Sequence, residues 1–381
     1  MCGYRVARSL HWAIALTAFD GWRLGRSGHL HSAPVSKLKD LRQRWHALSL
    51  RRRRVAIGAG VLALAVGFVV SVRLTSRPDF GGDRLVAVGG GQVWVADGRA
   101  LQRIDAFTGT LVAALFWSEE FGVAAPPTAL EFCGGTVWQD DLGGLISVSP
   151  DVGQLRGVDL PSGAETSGTV IGLACGSDAL WALVEDDDLS SSSLVLEQPS
   201  RLVRVRLPAG PAQTVAQVGR NSVALDVEGG RVWVLHEQGL ESGASAVLER
   251  RDPAGRLTGR LALEWDFPLA VKADAHGRLW VLADRDSEHE TGGVVLIDAA
   301  TLKVVRTIAV GPDPRGLAVD EAGTAWVTDG REQVVRVVSP GGSMKTIPAR
   351  PKPSGIAIGP DAVYVALAKR DLLRIRKHAL P

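Results

Sequence analysis

The sequence predicts an all-β fold, a seven-bladed β-propeller of four-stranded antiparallel blades preceded by one N-terminal transmembrane helix. Two observations support this prediction: a unit of short alternating strands recurs seven times, and an uncharged apolar run of 18 residues precedes the first unit. The 381 residues, 46% hydrophobic and 22% charged, suffice for one large all-β domain with an extensive core.

Charge divides the chain into an arm and a body. Residues 1–54 contain twelve Lys and Arg against two acidic residues, whereas residues 73–381 contain 31 basic and 39 acidic residues. A basic segment beside an apolar run is typical of membrane topology. We therefore predict that residues 1–54 are a basic cytoplasmic segment, and we expect no nucleic-acid partner.

The apolar run, residues 55–72, follows four arginines at 51–54. As a helix it would be ~27 Å long, enough to cross a bilayer core. The positive-inside rule then places residues 73–381 outside the cytoplasm, as in a single-pass protein of the cell membrane. A cleaved signal peptide is the alternative, but a long segment precedes the run and no A-x-A-like site follows it.

The repeated unit is clearest at residues 314–338, PRGLAVDEAGTAWVTDGREQVVRVV, where apolar and polar residues alternate around a tryptophan and break at glycines. One aromatic residue marks each unit: Trp94, Trp138, Trp181, Trp233, Trp280, Trp326 and Tyr364. Their spacings of 38 to 52 residues correspond to four short strands with their turns.

A single four-stranded sheet cannot bury both of its faces. Radial packing of seven such sheets around a channel does so, which predicts a propeller over residues 83–381. A β-sandwich does not require seven copies of one motif, and the period of two excludes a helical solenoid. We expect the marker aromatics to pack between neighbouring blades.

The seventh unit ends at Pro381 after only three predicted strands. Residues 73–82, between the apolar run and the first unit, are either a short linker or a strand that closes the ring. A three-stranded last blade is the other possibility, and the sequence does not choose between them.

Residues 294–330, VVLIDAATLKVVRTIAVGPDPRGLAVDEAGTAWVTDG, resemble the YVTN and NHL repeats of bacterial propellers, including the virginiamycin B lyase-like proteins. The resemblance covers about residues 83–380 and implies architecture more than activity. Lyases of this group use His and Glu on a propeller face with a metal, but none of their motifs matches this sequence residue by residue. Residues 104–116, IDAFTGTLVAALF, also resemble the quinoprotein-type repeat without its usual tryptophan.

The turns after the marker strands share one rim with the connections between blades. Propellers generally bind ligands at such a rim, where the channel opens. The predicted rim residues are Asp97, Arg99, Asp140, Asp141, Asp284, Arg285, Arg315, Asp329, Arg331, Lys352 and Arg370. Each can also be a turn residue or part of an ion pair, but together they predict a site for a polar or anionic ligand.

A metal site is a further candidate on this rim. His236 and Glu237 belong to blade 4, and His289 and Glu290 belong to the long loop of blade 5. Two imidazoles with carboxylates can hold a divalent ion and supply a general base. The alternative is that these are ordinary surface residues.

Two cysteines, Cys133 and Cys175, occupy matching positions at the ends of the first strands in blades 2 and 3. Outside the cytoplasm a disulfide is chemically permitted. Neighbouring inner strands can, however, hold the Cα atoms beyond the ~7 Å limit for a bridge. We therefore favour two small buried residues, with the disulfide as the alternative.

The sequence contains no phosphate-binding loop, Ser-His-Asp order or CxxC motif. The favoured hypothesis is therefore a non-enzymatic, membrane-anchored scaffold or sensor that binds a protein or a cell-envelope ligand, with no cofactor. A metal-assisted lyase or hydrolase is the alternative, and a quinoprotein-like oxidoreductase is a third. The excess of 35 arginines over eight lysines is common in high-GC bacteria.

Overall fold

The computed structural model describes residues 84–377, except for 98–99, 117–126, 142–143, 151–154, 162–167, 187–199, 209, 220, 239–244, 266, 285–290 and 369–370. Within these residues no helix is long and apolar enough to cross a membrane. The predicted cytoplasmic segment, the predicted span at 55–72 and the predicted linker or closing strand at 73–82 all lie outside them.

The described residues form seven antiparallel sheets in which consecutive strands are neighbours. Blade 1 contains β1 (Leu85–Gly89), β2 (Gln92–Ala96), β3 (Ala100–Asp105) and β4 (Leu111–Phe116). Blade 2 contains β5 (Leu130–Cys133), β6 (Thr136–Asp141), β7 (Gly144–Val148) and β8 (Leu155–Asp159). Blade 3 contains β9 (Gly168–Cys175), β10 (Ala179–Asp186), β11 (Ser200–Arg206) and β12 (Ala212–Val218).

The remaining four blades follow the same order. Blade 4 contains β13 (Ser222–Glu228), β14 (Arg231–Gln238), β15 (Ser245–Arg251) and β16 (Leu257–Leu263). Blade 5 contains β17 (Phe267–Ala273), β18 (Arg278–Asp284), β19 (Gly292–Asp298) and β20 (Lys303–Gly311). Blade 6 contains β21 (Pro314–Val319), β22 (Ala325–Asp329), β23 (Val334–Val338) and β24 (Met344–Pro348). Blade 7 contains β25 (Pro353–Ile358), β26 (Ala362–Leu367) and β27 (Asp371–Arg376).

The first strands of neighbouring blades contact one another around the ring, and β25 contacts β1 to complete it. The predicted seven-bladed propeller is thus confirmed. Blade 7 has three strands in the described part of the chain. Its contact with blade 1 includes hydrogen bonds from Arg84 Nη1 to the Leu367 carbonyl (2.7 Å) and from Tyr364 Oη to the Ala106 carbonyl (2.7 Å).

The core consists of apolar clusters between neighbouring blades. The marker Trp280 of blade 5, for example, is fully buried in one cluster with Leu317 and Val327 of blade 6. The second strands are buried on both faces because a blade packs on each side of them, whereas an outer strand such as β20 is mostly exposed. Each fully buried large aliphatic side chain contributes roughly 1.5–3 kcal/mol.

The cysteine prediction requires a correction. Cys133 and Cys175 form a disulfide that joins the ends of β5 and β9, with their Cα atoms 5.3 Å apart. The favoured interpretation, two unbonded buried residues, was therefore wrong. Neighbouring first strands approach closely enough at this end of the channel to satisfy the distance limit.

Candidate functional site

The propeller has two faces with different kinds of turn. The connections between blades, such as residues 312–313 and 349–352, lie on one face together with the turns from second to third strands. We call this the connection face. The turns from first to second strands, such as the one at Gly134 and Gly135, lie on the opposite, hairpin face. Both of these glycines have positive φ (61° and 82°), which a tight two-residue hairpin turn requires.

The structure describes eight of the eleven charged rim residues from which we predicted a binding site: Asp97, Asp140, Asp141, Asp284, Arg315, Asp329, Arg331 and Lys352. Arg99, Arg285 and Arg370 lie outside the described residues. Asp97 is buried and accepts hydrogen bonds from the Ala100 amide (2.9 Å) and from Gln102 Nε2 (3.4 Å). Its carboxylate therefore orders the turn between β2 and β3.

Asp329 is a fully buried carboxylate on the connection face whose oxygens have partners within the protein. Its side chain has no exposed surface, and its Oδ2 lies 2.8 Å from Nη1 of Arg336. The amides of Arg331 (3.0 Å) and Glu332 (2.8 Å) donate to its Oδ1. Arg336 also pairs with Glu332. The carboxylate packs against Gly311, where a Cβ atom would lie only 2.2 Å from Oδ2.

A second group of ion pairs links blades 6 and 7. Arg315 Nε lies 3.0 Å from Asp313 Oδ2, and Lys352 Nζ lies 4.0 Å from the same oxygen. Arg331 is exposed in the turn that follows β22, and Asp284 is half-buried at the end of β18. Three predicted charges, Arg315, Asp329 and Lys352, thus pair with Asp313 or Arg336, which were not among the predicted rim residues.

Asp140, at the end of β6, supports the connection that enters blade 2. It accepts hydrogen bonds from the amides of Thr128 (2.7 Å) and Ala129 (2.9 Å) and from the Thr128 hydroxyl (2.9 Å). Burial nevertheless raises the pKa of Asp140, although these hydrogen bonds oppose the rise. Its contacts are those of a structural residue.

A β-bulge recurs near the connection face in the first strands of blades 3 to 6. The bulged residues are Ile171, Val223, Leu269 and Arg315. Bulges redirect a side chain out of the regular pleat. Ile171 and Val223 line the central channel, while Leu269 is 38% exposed and its neighbour Phe267 is 46% exposed. The connection-face end of the channel, which we call the mouth, therefore has an apolar side next to Arg315.

His236 is buried at the connection-face end of β14, 3% exposed, and its ring packs against Gly219. Burial lowers its pKa, an effect that the carboxylate of Glu249 partly opposes. Among the residues that the structure describes, its Nδ1 has no hydrogen-bond partner. Glu237 is half-buried, and burial raises its pKa. His289 and Glu290 lie outside the described residues, so the four-residue metal site stays a prediction.

Elsewhere in the described part of the chain, no group of three or more His, Cys, Asp or Glu side chains could hold a metal ion. The connections from the second to the third strand in blades 3, 4 and 5 fall largely at 187–199, 239–244 and 285–290, which the structure does not describe.

The channel contains a polar layer that our sequence analysis missed. On each first strand, the residue opposite the marker aromatic occupies an equivalent position. It is alanine in four blades and charged in the other three: Ala87, Glu131, Ala174, Asp226, Lys272, Ala318 and Ala357. We call these seven residues the channel layer; five of them, all except Ala174 and Asp226, line the channel itself. Aligning the first strands on their marker aromatics would have revealed it.

The three charged residues of the channel layer differ in their partners. Lys272 Nζ lies 3.0 Å from Asp226 Oδ1, and the Ala273 amide donates to Asp226 Oδ2 at 2.7 Å. Burial opposes the charge of Lys272, but Asp226 and Glu131 outweigh it and raise the Lys272 pKa to about 12. Burial raises the pKa of Glu131 to about 7, and the nearby ammonium of Lys272 only limits that rise.

The channel that contains this layer has a volume of about 370 Å³ and is lined by first strands from all seven blades. About a third of the Lys272 side-chain surface is accessible to water. Lys272 and Glu131 line the channel, so the accessible part of the Lys272 side chain faces the channel. The remaining lining is almost entirely aliphatic, with Thr128 as an exception.

No protein-family model and no curated protein matches the chain. Many solved structures share its fold. A chain of hydrazine synthase from Kuenenia stuttgartiensis covers 81% of this chain and 98% of its own, with a TM-score of 0.59 and 12% identity. Virginiamycin B lyase from Staphylococcus aureus covers 79% of this chain and 96% of its own, with a TM-score of 0.52 and 12% identity.

The predicted resemblance to virginiamycin B lyase-like propellers is confirmed at the level of the fold. A chain from a mitotic checkpoint complex is similar to the same degree, with a TM-score of 0.58 and 14% identity over 78% of this chain and 89% of its own. Enzymes and a component of a protein assembly therefore share this architecture. The fold does not decide the function, which must be argued from the site.

Proposed function

We propose that this chain is a protein-binding scaffold that stands outside the cytoplasm on a membrane anchor and is not an enzyme. The observation that carries the proposal is the mouth of the channel, where the exposed Phe267 and Leu269 lie on the strand next to that of Arg315. Exposed apolar groups bordered by polar residues mark protein-binding surfaces, and aromatic residues with arginine dominate their energetics.

The ion pairs around the mouth support this function because they hold its charges in place. Asp313 orients Arg315 and Lys352, and Asp329 fixes Arg336. A partner that binds an ordered charged surface loses less side-chain entropy than one that must order it. Such mutually paired charges suit recognition better than acid–base catalysis, which needs a group able to transfer a proton to the substrate.

The disulfide supports the proposed location. Bonds such as Cys133–Cys175 persist in oxidising compartments and are rare in the cytosol. The predicted span at residues 55–72, with the basic segment before it, provides the anchor in this proposal. Thiol trapping in intact cells should find these two cysteines oxidised. Recovery of both as free thiols would contradict the location without affecting the binding role.

The binding role can be tested by photo-crosslinking from each face. A photoreactive residue in the full-length chain at Phe267, on the connection face, should crosslink to one specific protein. The matched control is Phe107, which is 80% exposed in the β3–β4 turn on the hairpin face and should give no such adduct. Equal crosslinking from both positions would contradict a mouth-specific partner.

A divalent-metal thermal-shift scan of the same protein distinguishes the metal-assisted alternative. Stabilisation by a metal that disappears in the His236→Ala and His289→Ala variants would favour the lyase or hydrolase hypothesis. The scaffold hypothesis predicts that both variants behave like the wild type toward the metal.

A further inference from the structure

The channel layer contains one carboxylate whose charge is not neutralised. Glu131 and Asp226 contribute two negative charges and Lys272 one positive charge when all three are ionised. Asp226 is already engaged by Lys272 and by the Ala273 amide. Within the described residues the Glu131 carboxylate forms no ion pair and no hydrogen bond with another side chain, and the Phe132 amide is its only hydrogen-bond donor.

The position of Glu131 in the channel layer shows that the fold does not require its charge. Four of the seven equivalent positions are alanine, so the architecture does not require a charge there. Burying a carboxylate without a partner destabilises the folded protein. The raised pKa of Glu131 is consistent with that cost. A ligand that placed a positive charge beside Glu131 would offset this energetic cost.

The surroundings of Glu131 define the remainder of such a ligand. Side chains such as Val88, Leu173 and Ile358 line the channel around the layer, and these offer apolar contacts only. The channel volume of about 370 Å³ falls in the range of small-molecule sites. The best occupant therefore combines one cationic group with a short aliphatic body.

We propose that the central channel binds a small organic ammonium ion, with its ammonium group on Glu131 and its alkyl body against the aliphatic wall. An anion would meet two carboxylates and an ammonium already paired with Asp226. A metal ion such as Ca²⁺ prefers six to eight oxygen ligands, whereas the layer has one uncommitted carboxylate. This site is separate from the proposed protein-binding mouth, and either can fail without the other.

The test uses n-butylammonium chloride as the probe and calorimetric titration of the full-length chain. Saturable binding is expected, with butan-1-ol and butyrate binding at least about tenfold more weakly, because neither places a cation on Glu131. From propyl- to pentylammonium, affinity should rise about three- to fourfold per methylene if the tail contacts the channel wall. Preferential binding of butyrate would overturn the proposal.

Two substitutions at Glu131 locate the charge. Glu131→Gln and Glu131→Ala should both weaken butylammonium binding at least about tenfold. Alanine is the residue at four equivalent positions, so Glu131→Ala is compatible with the fold. Glu228→Gln, which removes an exposed carboxylate at the end of β13, is the matched control and should leave the affinity within about twofold. Unchanged binding in both Glu131 variants would refute the proposed contact.

A steric variant locates the alkyl body. Ala357→Leu enlarges a channel-layer side chain of blade 7 without changing any charge, and it should abolish binding of the probe. Full affinity in this variant would show that butylammonium binds elsewhere. Absence of binding to the folded wild-type chain would also overturn the proposal. Near-UV circular dichroism of each variant verifies that it is folded.

Discussion

Asp329 of blade 6 and Glu131 of blade 2 are both carboxylates shielded from bulk water, but they differ in their hydrogen-bond and ion-pair partners. Asp329 receives a guanidinium and two backbone amides. Glu131 receives one backbone amide and lies across an otherwise aliphatic channel from a lysine that pairs with another residue. The protein itself therefore neutralises the charge of Asp329, whereas it supplies no ion-pair partner to Glu131 among the described residues.

This difference separates structural residues from candidate functional residues. A buried charge with a full set of partners fixes a turn and presents nothing to a ligand. A buried charge without partners reduces stability, and such groups cluster at functional sites. Charge and shielding from bulk water therefore do not identify a site by themselves. Asp329 is fully buried and Glu131 is half-buried, but the feature that separates their roles is their partners.

The largest effect should follow from breaking the complete arrangement. Arg336→Ala leaves Asp329 buried without its guanidinium, and we expect it to lower the free energy of unfolding by about 3–5 kcal/mol. Chemical denaturation measures this change. Arg256→Ala is the control, because that arginine is 81% exposed in its pair with Asp252 and should cost under about 1 kcal/mol. Equal losses in the two variants would contradict the comparison.

The next largest effect concerns the strand that carries Glu131. Cys133 lies two residues after Glu131 and joins β5 to β9 across a sequence separation of 42 residues. The double variant Cys133→Ala, Cys175→Ala should lose about 2–4 kcal/mol of unfolding free energy. A reductant should lower the stability of the wild type to that of the variant. It should not affect the variant itself, and a further loss there would point to another cause.

Glu131 should make stability depend on pH in a defined direction. Its folded pKa, about 7, exceeds the ordinary value of 4.5, so its contribution is present below pH 4.5 and lost as the pH rises to 7. Above pH 7, Glu131→Gln should therefore be more stable than the wild type by about 1–3 kcal/mol, a difference that shrinks on acidification. Urea denaturation across this range, with Glu228→Gln as control, measures it. A constant difference at all pH values would contradict the ionisation account.

The smallest effect on stability should come from the mouth. Arg315→Ala removes a partly exposed pair with Asp313, so the unfolding free energy should change by less than about 1 kcal/mol. The same variant should weaken crosslinking from position 267, because Arg315 is part of the proposed partner surface. A large loss of stability with unchanged crosslinking would instead make Arg315 a structural residue like Asp329.

The fold was predictable because it depends on repeated, local features. The marker aromatics fixed the number of blades, and alternation with glycine turns fixed the strands. The Cys133–Cys175 bond was misjudged because it depends on the spacing of two first strands at one end of the channel. That distance follows from the closure of the ring and is not encoded near either cysteine.

The site was predictable only in part. Rim charges such as Asp329 and Arg315 were found from their turns, but the sequence did not show that they pair within the protein. Glu131, Asp226 and Lys272 were missed because each looks ordinary in its own strand. Their relation appears only when the seven first strands are placed in one register, since residues from three separate blades then share one level of the channel.

The equivalence of the channel-layer positions has a consequence for protein engineering. Each alanine of the layer sits opposite a marker aromatic in its own blade, as Glu131 does. Acidic or basic side chains can therefore be placed one at a time at Ala87, Ala318 or Ala357, the alanines of the layer that line the channel, at a cost in stability where they find no partner. A set of such variants would provide channels with the same aliphatic walls and a net charge that changes by one unit with each substitution.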